Sequence, residues 1–337
     1  MSYSKQFDNV IIWGYPYGTH TQSYVWHGFY KAFKSLGIPV YWLANNWQYE
    51  QTAEKSINIE KSLFLCEKND LSGMPLISTS TYVVNNLGNR PETDISSKFL
   101  GKVKRVLDLR NHSLYYWDDR TNFYHINRPE VLKLEAGCMF EHSPDNIDKI
   151  YIAWATDLLP HEIDLEDCKL PRENESWYIG TIGGGMGGID NCQTVEKPEH
   201  DNRKSLIEFR NACIKNGIEF KSNCPWRNPL SQEESMTLIK KSFLTLDSRH
   251  EEMKKWGYVP CRIMKNISYG QIGLSNSAAV EEFLEGEVIY RENGEDIFYE
   301  GLRHQKNYKM IKRQMMLIRD KHTYINRCQS LLKALEL

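Results

Sequence analysis

Between residues 8 and 44 the chain reads as a strand, a glycine-containing loop, a helix and a second strand, and no other feature limits its fold so tightly. VIIWG is short and apolar. Tyr24, Val25, Phe29, Ala32, Phe33 and Leu36 then recur at three- and four-residue steps, Gly37 stops them, and IPVYWLA follows. A parallel crossover needs a dozen residues or more, which this connection supplies. The expectation is a βαβ unit in a doubly wound α/β fold rather than an all-β one. Further strands are expected at 62–66, 76–84, 103–109 and 149–154, all short apolar runs of the kind that parallel strands buried on both faces require.

The pattern restarts in the second half. HEIDLEDCKLPRENES is polar, acidic and broken by Pro171, as an interdomain linker would be. SWYIGTIGGGMGG is then a strand entering a glycine loop, 203–215 a helix, IEFKSN a strand, 232–241 a helix and SFLTLDS a strand. GYVPCRIMKNISYG leads into a helix, QIGLSNS is a strand, and 278–284 is a helix. Residues 303–337 suit one or two helices with Tyr308, Ile311, Met315, Ile318, Tyr324, Leu331 and Leu332 as apolar positions. The chain has 337 residues, more than the roughly 150 of one typical domain. The expected organisation is a Rossmann-like domain over 1–160, a second over 175–302, and a helical tail over 303–337 that packs back across both.

Charge and cysteine usage narrow the function. The formal net charge is -2, which supplies no global field to hold nucleic acid or anionic lipid, so any anion site must be local. Lys306, Lys309, Lys312, Arg313, Arg319 and Lys321 read as the polar face of an amphipathic helix. The 8 cysteines form no CxxC pair and are scattered too widely for a small disulfide framework. No basic start with an apolar h-region opens the sequence, and no run reaches about 18 apolar residues, so the expected location is cytoplasmic with no transmembrane segment. No metal-ligand spacing stands out, and neither a metal nor a resident cofactor is expected.

Two αβ domains with a helical tail fit the GT-B architecture of glycosyltransferases. Element order alone also fits periplasmic binding proteins, against which the missing signal peptide argues, and other twin-Rossmann chains. The stretch Trp256 to Ser277, WGYVPCRIMKNISYGQIGLSNS, makes the resemblance specific. The second GT-B domain carries a loop, a helix beginning beneath the donor phosphates, a glycine after it and a short strand, and this stretch has all four in order. Tyr258, Val259, Pro260, Cys261, Arg262, Ile263, Met264, Lys265 and Asn266 also resemble a stretch of the alpha-fucosyltransferases. By that resemblance Arg262 falls where a diphosphate-binding Lys sits, Lys265 and Asn266 fall on an Arg-Asn pair, and a guanosine diphosphate sugar is the donor implied. Pro260 and Cys261 replace the Thr and Glu of that motif, and Lys265 stands where retaining members would align a Glu, so the base and sugar stay open.

The residues themselves carry a physical case. Sugar transfer from a nucleotide diphosphate leaves a dianion, and cations with helix N-terminal N–H groups stabilise the charge that grows there. Arg262 and Lys265, three apart at a helix start, share a face. Gly183, Gly184 and Gly185 follow a strand and would let backbone N–H groups approach a phosphate, although their spacing matches no standard phosphate motif. Arg249 after SFLTLDS could touch phosphate, and Asn276 and Ser277 end a strand where ligands of open α/β sheets collect. On the acceptor side, His20 follows the first strand, with Thr19 or Thr21 expected to cap the helix. In inverting members of the fold a His in the equivalent loop is the general base, and His20 resembles it in position. Asp118 and Asp119 are carboxylates that could orient it. Tyr15 and Tyr17 stand out within a dense aromatic region (Trp13, Tyr24, Trp26, Tyr41, Trp42, Trp47), because sugar C–H faces pack on rings.

The expectation is a metal-independent glycosyltransferase, with His20, Arg262 and Lys265 in the chemistry, moving a sugar from a nucleotide-diphosphate donor to a glycan or glycoconjugate. Inversion through His20 is preferred and retention stays open. Two alternatives remain: a nucleotide-sugar epimerase of the same architecture, and a noncatalytic carbohydrate-binding protein.

Overall fold

Among the described residues, nine strands hydrogen-bond into one sheet in the first half of the chain. They are β1 (Asn9–Trp13), β2 (Val40–Ala44), β3 (Trp47–Gln48), β4 (Ser62–Glu67), β5 (Thr81–Asn85), β6 (Arg105–Arg110), β9 (Val131–Lys133), β10 (Met139–Glu141) and β11 (Lys149–Tyr151); β7 (Tyr115–Asp119) and β8 (Asn122–His125) form a separate hairpin. The computed structural model describes residues 6–44, 47–49, 57–69, 71–87, 99, 101–111, 131–143, 147–182, 189, 201–224, 228–255 and 257–337, and the backbone of 115–119 and 122–125. The strand order is β3-β2-β1-β4-β5-β6-β11-β10-β9. From β2 to β11 every pairing is parallel, while β3, β10 and β9 join antiparallel at the edges. All residues of β1 and β4 are buried, as strands covered on both faces must be. The protein is therefore α/β with a large, mostly parallel sheet.

The chain forms two compact units, 1–157 with 324–337, and 158–323. In the first, the helix Thr21–Ser35 buries Val25, Trp26, Phe29 and Phe33, and it ends at Gly37, whose φ of 72° only glycine adopts cheaply. The helix Tyr324–Glu336 completes this unit: a Cβ on Gly28 would lie 2.2 Å from Tyr324 Cδ2, and the wholly buried Arg327 donates from Nε to the Ala153 carbonyl at 2.7 Å.

The second unit carries two parallel pairs, β12 (Glu175–Ile179) with β13 (Glu219–Asn223), and β14 (Leu274–Ser275) with β15 (Ile289–Tyr290). Between them runs 242–247, tied by Phe243 N–H to the Glu175 carbonyl (2.6 Å) and by Asp247 N–H to the Leu274 carbonyl (2.9 Å). Its order in space is thus β13, β12, 242–247, β14, β15. The helices are Arg203–Lys215, Gln232–Lys241, Glu251–Lys255, Cys261–Ser268, Ala278–Phe283, Gly294–His304 and Tyr308–Lys321.

Several expectations need correction. SFLTLDS joins a ladder only at the Asp247–Ser275 bridge: Leu244 N–H donates to the Ser176 hydroxyl and Trp177 N–H to the Ser242 hydroxyl, where a regular ladder would use backbone carbonyls. The strand expected over 76–84 starts at Thr81: the Tyr82 hydroxyl donates to the Pro75 carbonyl and accepts from Ile77 N–H, and a turn at 78–79, closed by Ser80 N–H on the Ile77 carbonyl, precedes the strand. QIGLSNS contributes only Leu274–Ser275. The stretch 161–174, expected as a linker, belongs to the second unit: it forms the 3-10 helix Leu165–Lys169, and Arg172 donates to the Lys240 carbonyl and, at 2.6 Å, to the Gly270 carbonyl. The last stretch holds three helices, the first beginning at Gly294 and the last lying in the other unit. Among the described residues no helix is long and apolar enough to cross a membrane.

Candidate functional site

Ligands of open α/β sheets bind outside the carboxyl ends of the strands, where the strand order reverses. In the second unit that point lies between β12 and 242–247. β12 ends on Tyr178 and Ile179, 242–247 ends on Asp247, and the helix Cys261–Ser268 starts at Pro260, whose side chain cannot cap it. Its first-turn N–H groups therefore have no side-chain cap.

Arg262, in that first turn, folds across the end of β12. Its Nε donates to the Ile179 carbonyl (3.0 Å) and its Nη1 to the Tyr178 hydroxyl (2.7 Å), and its Cζ stands 4.4 Å from the centre of the Tyr178 ring. Gly180 makes this approach possible. It has φ of +156°, and a Cβ there would lie 1.8 Å from Arg262 Nη2.

Asp247 is wholly buried and serves two guanidinium groups unequally. Arg249 places Nη2 2.5 Å and Nε 3.0 Å from Asp247 Oδ1, whereas Arg262 Nη1 is 3.5 Å from the same oxygen. Oδ2 accepts from the Ser275 hydroxyl at 3.1 Å. Asp247 is thus committed to Arg249. Burial works to lower the Arg249 pKa, and the adjacent carboxylate outweighs it, so the pKa is raised and the charge is held firmly. Arg262, with its side chain only 15% exposed, is gripped mainly by neutral oxygens, and the cluster carries two positive charges against one negative. Charges taken out of water are normally paired, so the surplus at Arg262 suits an anion.

The remaining expected donor residues divide by what already occupies them. Asn276 is corrected: its Oδ1 accepts from Arg249 N–H (2.7 Å) and its Nδ2 donates to the Arg249 carbonyl (2.9 Å), so its amide holds the Arg249 loop instead of facing a sugar. Arg249, expected at a phosphate, is held by Asp247 through Nε and Nη2. Tyr258 lies below it, ring centre 5.9 Å from Arg249 Cζ, and burial pushes its hydroxyl up to about 12. Val259 is fully buried packing. Lys265 is half-buried on the same helix as Arg262, and Asn266, one residue on, is buried. Ser277 is wholly buried, caps no helix N–H, and its Oγ has no hydrogen-bond partner among the described residues. Gly183, Gly184 and Gly185 lie outside the described residues.

No protein-family model matches the chain, and no curated protein matches it.

Four residues of this site escaped the sequence reading: Tyr178, Gly180, Asn202 and Asp247. Asn202 precedes the helix Arg203–Lys215, and its Nδ2 donates to the Tyr178 hydroxyl (3.0 Å) and lies 3.3 Å from the Thr181 carbonyl and 3.5 Å from the Ser248 carbonyl. A carboxylate ending an apolar run and a glycine ending a strand were the visible signals for Asp247 and Gly180.

In the first unit, His20 itself caps the helix Thr21–Ser35, a correction to Thr19 or Thr21 as caps. Its Nδ1 accepts from Gln22 N–H at 3.0 Å. The neutral ring then carries its proton on Nε2, the reverse of what a general base presenting Nε2 needs. Burial lowers its pKa. Thr19 donates its hydroxyl to the Pro16 carbonyl (2.7 Å) inside the turn. Tyr15 stacks on the His20 ring with centroids 4.2 Å apart. Tyr17 packs against Tyr24, His27, Trp42 and Tyr49 at 4.5–6.0 Å, within an aromatic cluster. Asp118 and Asp119 lie in β7, and their side chains are outside the described residues.

Proposed function

We propose that the second unit binds the diphosphate of a nucleotide sugar at the end of β12, and that the protein is a glycosyltransferase delivering that sugar to a carbohydrate or glycoconjugate. The observation that carries the reading is the surplus charge of Arg262, shielded from water, fixed by Tyr178 and Ile179, and placed where the strand order reverses.

The leaving diphosphate gains negative charge as the glycosidic bond to the sugar breaks. A guanidinium already oriented toward it, together with uncapped first-turn N–H groups of the helix Cys261–Ser268, stabilises that charge without reorganising during reaction. Arg249 and Asn276 act behind them by fixing Asp247 and its loop. No proton-abstracting role goes to His20. The Tyr15–His20 stack offers the first unit a flat surface for a sugar face.

The test is isothermal calorimetry and thermal denaturation with guanosine, uridine and adenosine diphosphates and with inorganic pyrophosphate. A diphosphate at about 100 times its dissociation constant adds roughly 2.7 kcal/mol of stability. If no diphosphate binds, the reading fails. If one binds, incubating its sugar conjugate with glycan acceptors should release the free diphosphate.

A further inference from the structure

The Tyr178 hydroxyl is the meeting point of the diphosphate site. It accepts from Arg262 Nη1 at 2.7 Å and from Asn202 Nδ2 at 3.0 Å, and it donates to the Thr181 carbonyl at 3.3 Å. Both lone pairs and the single proton of the hydroxyl are then used. The ring is 1% exposed and lies under the Arg262 guanidinium, so it cannot rotate away without opening the core. Arg262 would otherwise have four side-chain torsions free. The hydroxyl fixes one edge of the guanidinium, the Ile179 carbonyl fixes Nε, and the ring fixes the plane.

We propose that Tyr178 is the positioning residue for phosphate recognition: it sets the orientation of Arg262, and Asn202 in turn sets the Tyr178 hydroxyl. Neither side chain touches the ligand. The inference rests on the diphosphate reading of this site and adds to it which residue holds Arg262 in the orientation that the phosphates would meet.

Tyr178→Phe keeps the ring and removes only the hydroxyl. A hydrogen bond to a charged group contributes about 1.5–3 kcal/mol, so the affinity for guanosine diphosphate and for inorganic pyrophosphate should fall by about 10- to 100-fold. Guanosine alone makes no phosphate contact, and its affinity should stay within about twofold of the parent value. A merely structural role would weaken nucleoside and nucleotide together. Asn202→Ala serves as the second variant: it leaves the Tyr178–Arg262 bond but frees the hydroxyl, and should show a smaller loss with the same selectivity. Unchanged diphosphate affinity in Tyr178→Phe, or equal loss of guanosine and its diphosphate in both variants, overturns the proposal. Absence of any diphosphate binding by the unaltered protein would instead refute the underlying reading, so the two failures are separate.

Discussion

Gly180→Ala tests the site by steric means, without deleting a charge. The added Cβ would lie 1.8 Å from Arg262 Nη2, 2.6 Å from Cζ and 2.9 Å from Nε, all closer than real Cβ contacts allow. The backbone at φ of +156° also disfavours any side chain there, at a cost of about 1–3 kcal/mol in stability. The guanidinium is the movable partner, so it must swing out, giving up the 2.7 Å bond to Tyr178 and the 3.0 Å bond to Ile179. Each such bond to a charged group contributes about 1.5–3 kcal/mol to holding the orientation, and losing even half of the pair's combined effect in the bound state is about 1.5–3 kcal/mol. Diphosphate affinity should therefore drop about 10- to 150-fold, read by calorimetry, with far-ultraviolet dichroism unchanged. An alanine variant that binds any diphosphate within threefold of the unaltered protein refutes the placement of Arg262 at the site.

Other perturbations reach different parts of the same structure. Asn276→Ala removes both bonds that hold the Arg249 backbone and should cost about 1–3 kcal/mol in urea denaturation; no change in midpoint would show that the loop holds itself. Gly28→Ala drives a Cβ to 2.2 Å from the Tyr324 ring, an overpacking that should cost about 1–3 kcal/mol and lower the melting temperature of the first unit. His20 has a lowered pKa, so its share of stability is complete above the ordinary imidazole value of about 6.5 and is lost as pH falls through its folded value. His20→Asn keeps a good capping residue that does not titrate. The unaltered protein should therefore lose more melting temperature than this variant between about pH 7 and 5, and parallel curves would rule out the cap as the titrating element.

How much of this could be read in the sequence depended on whether neighbours along the chain or across it decide the structure. The helices Arg203–Lys215 and Gln232–Lys241 fall where the apolar spacing put them, because local periodicity and, for the second, the Ser231–Glu234 capping box fix their ends. The two- and three-residue strands β3, β9 and β10 left no trace, since their pairing comes from partners elsewhere in the sheet. SFLTLDS has strand composition, yet a serine hydroxyl from β12 claims a backbone donor. At the site, a cation and a helix start were legible at Arg262. That Asp247 pairs closely with Arg249 and only loosely with Arg262 depends on a difference of about an ångström between two contacts, which no residue pattern encodes.

The helix Tyr324–Glu336 follows the entire second unit in the chain but completes the first. During synthesis, the large sheet must wait with the Gly28 surface and the Arg327 berth unfilled until the whole intervening unit has been made. The first unit therefore matures last although it begins first. A cut after residue 157 would release a fragment lacking the side chain that covers its own central helix.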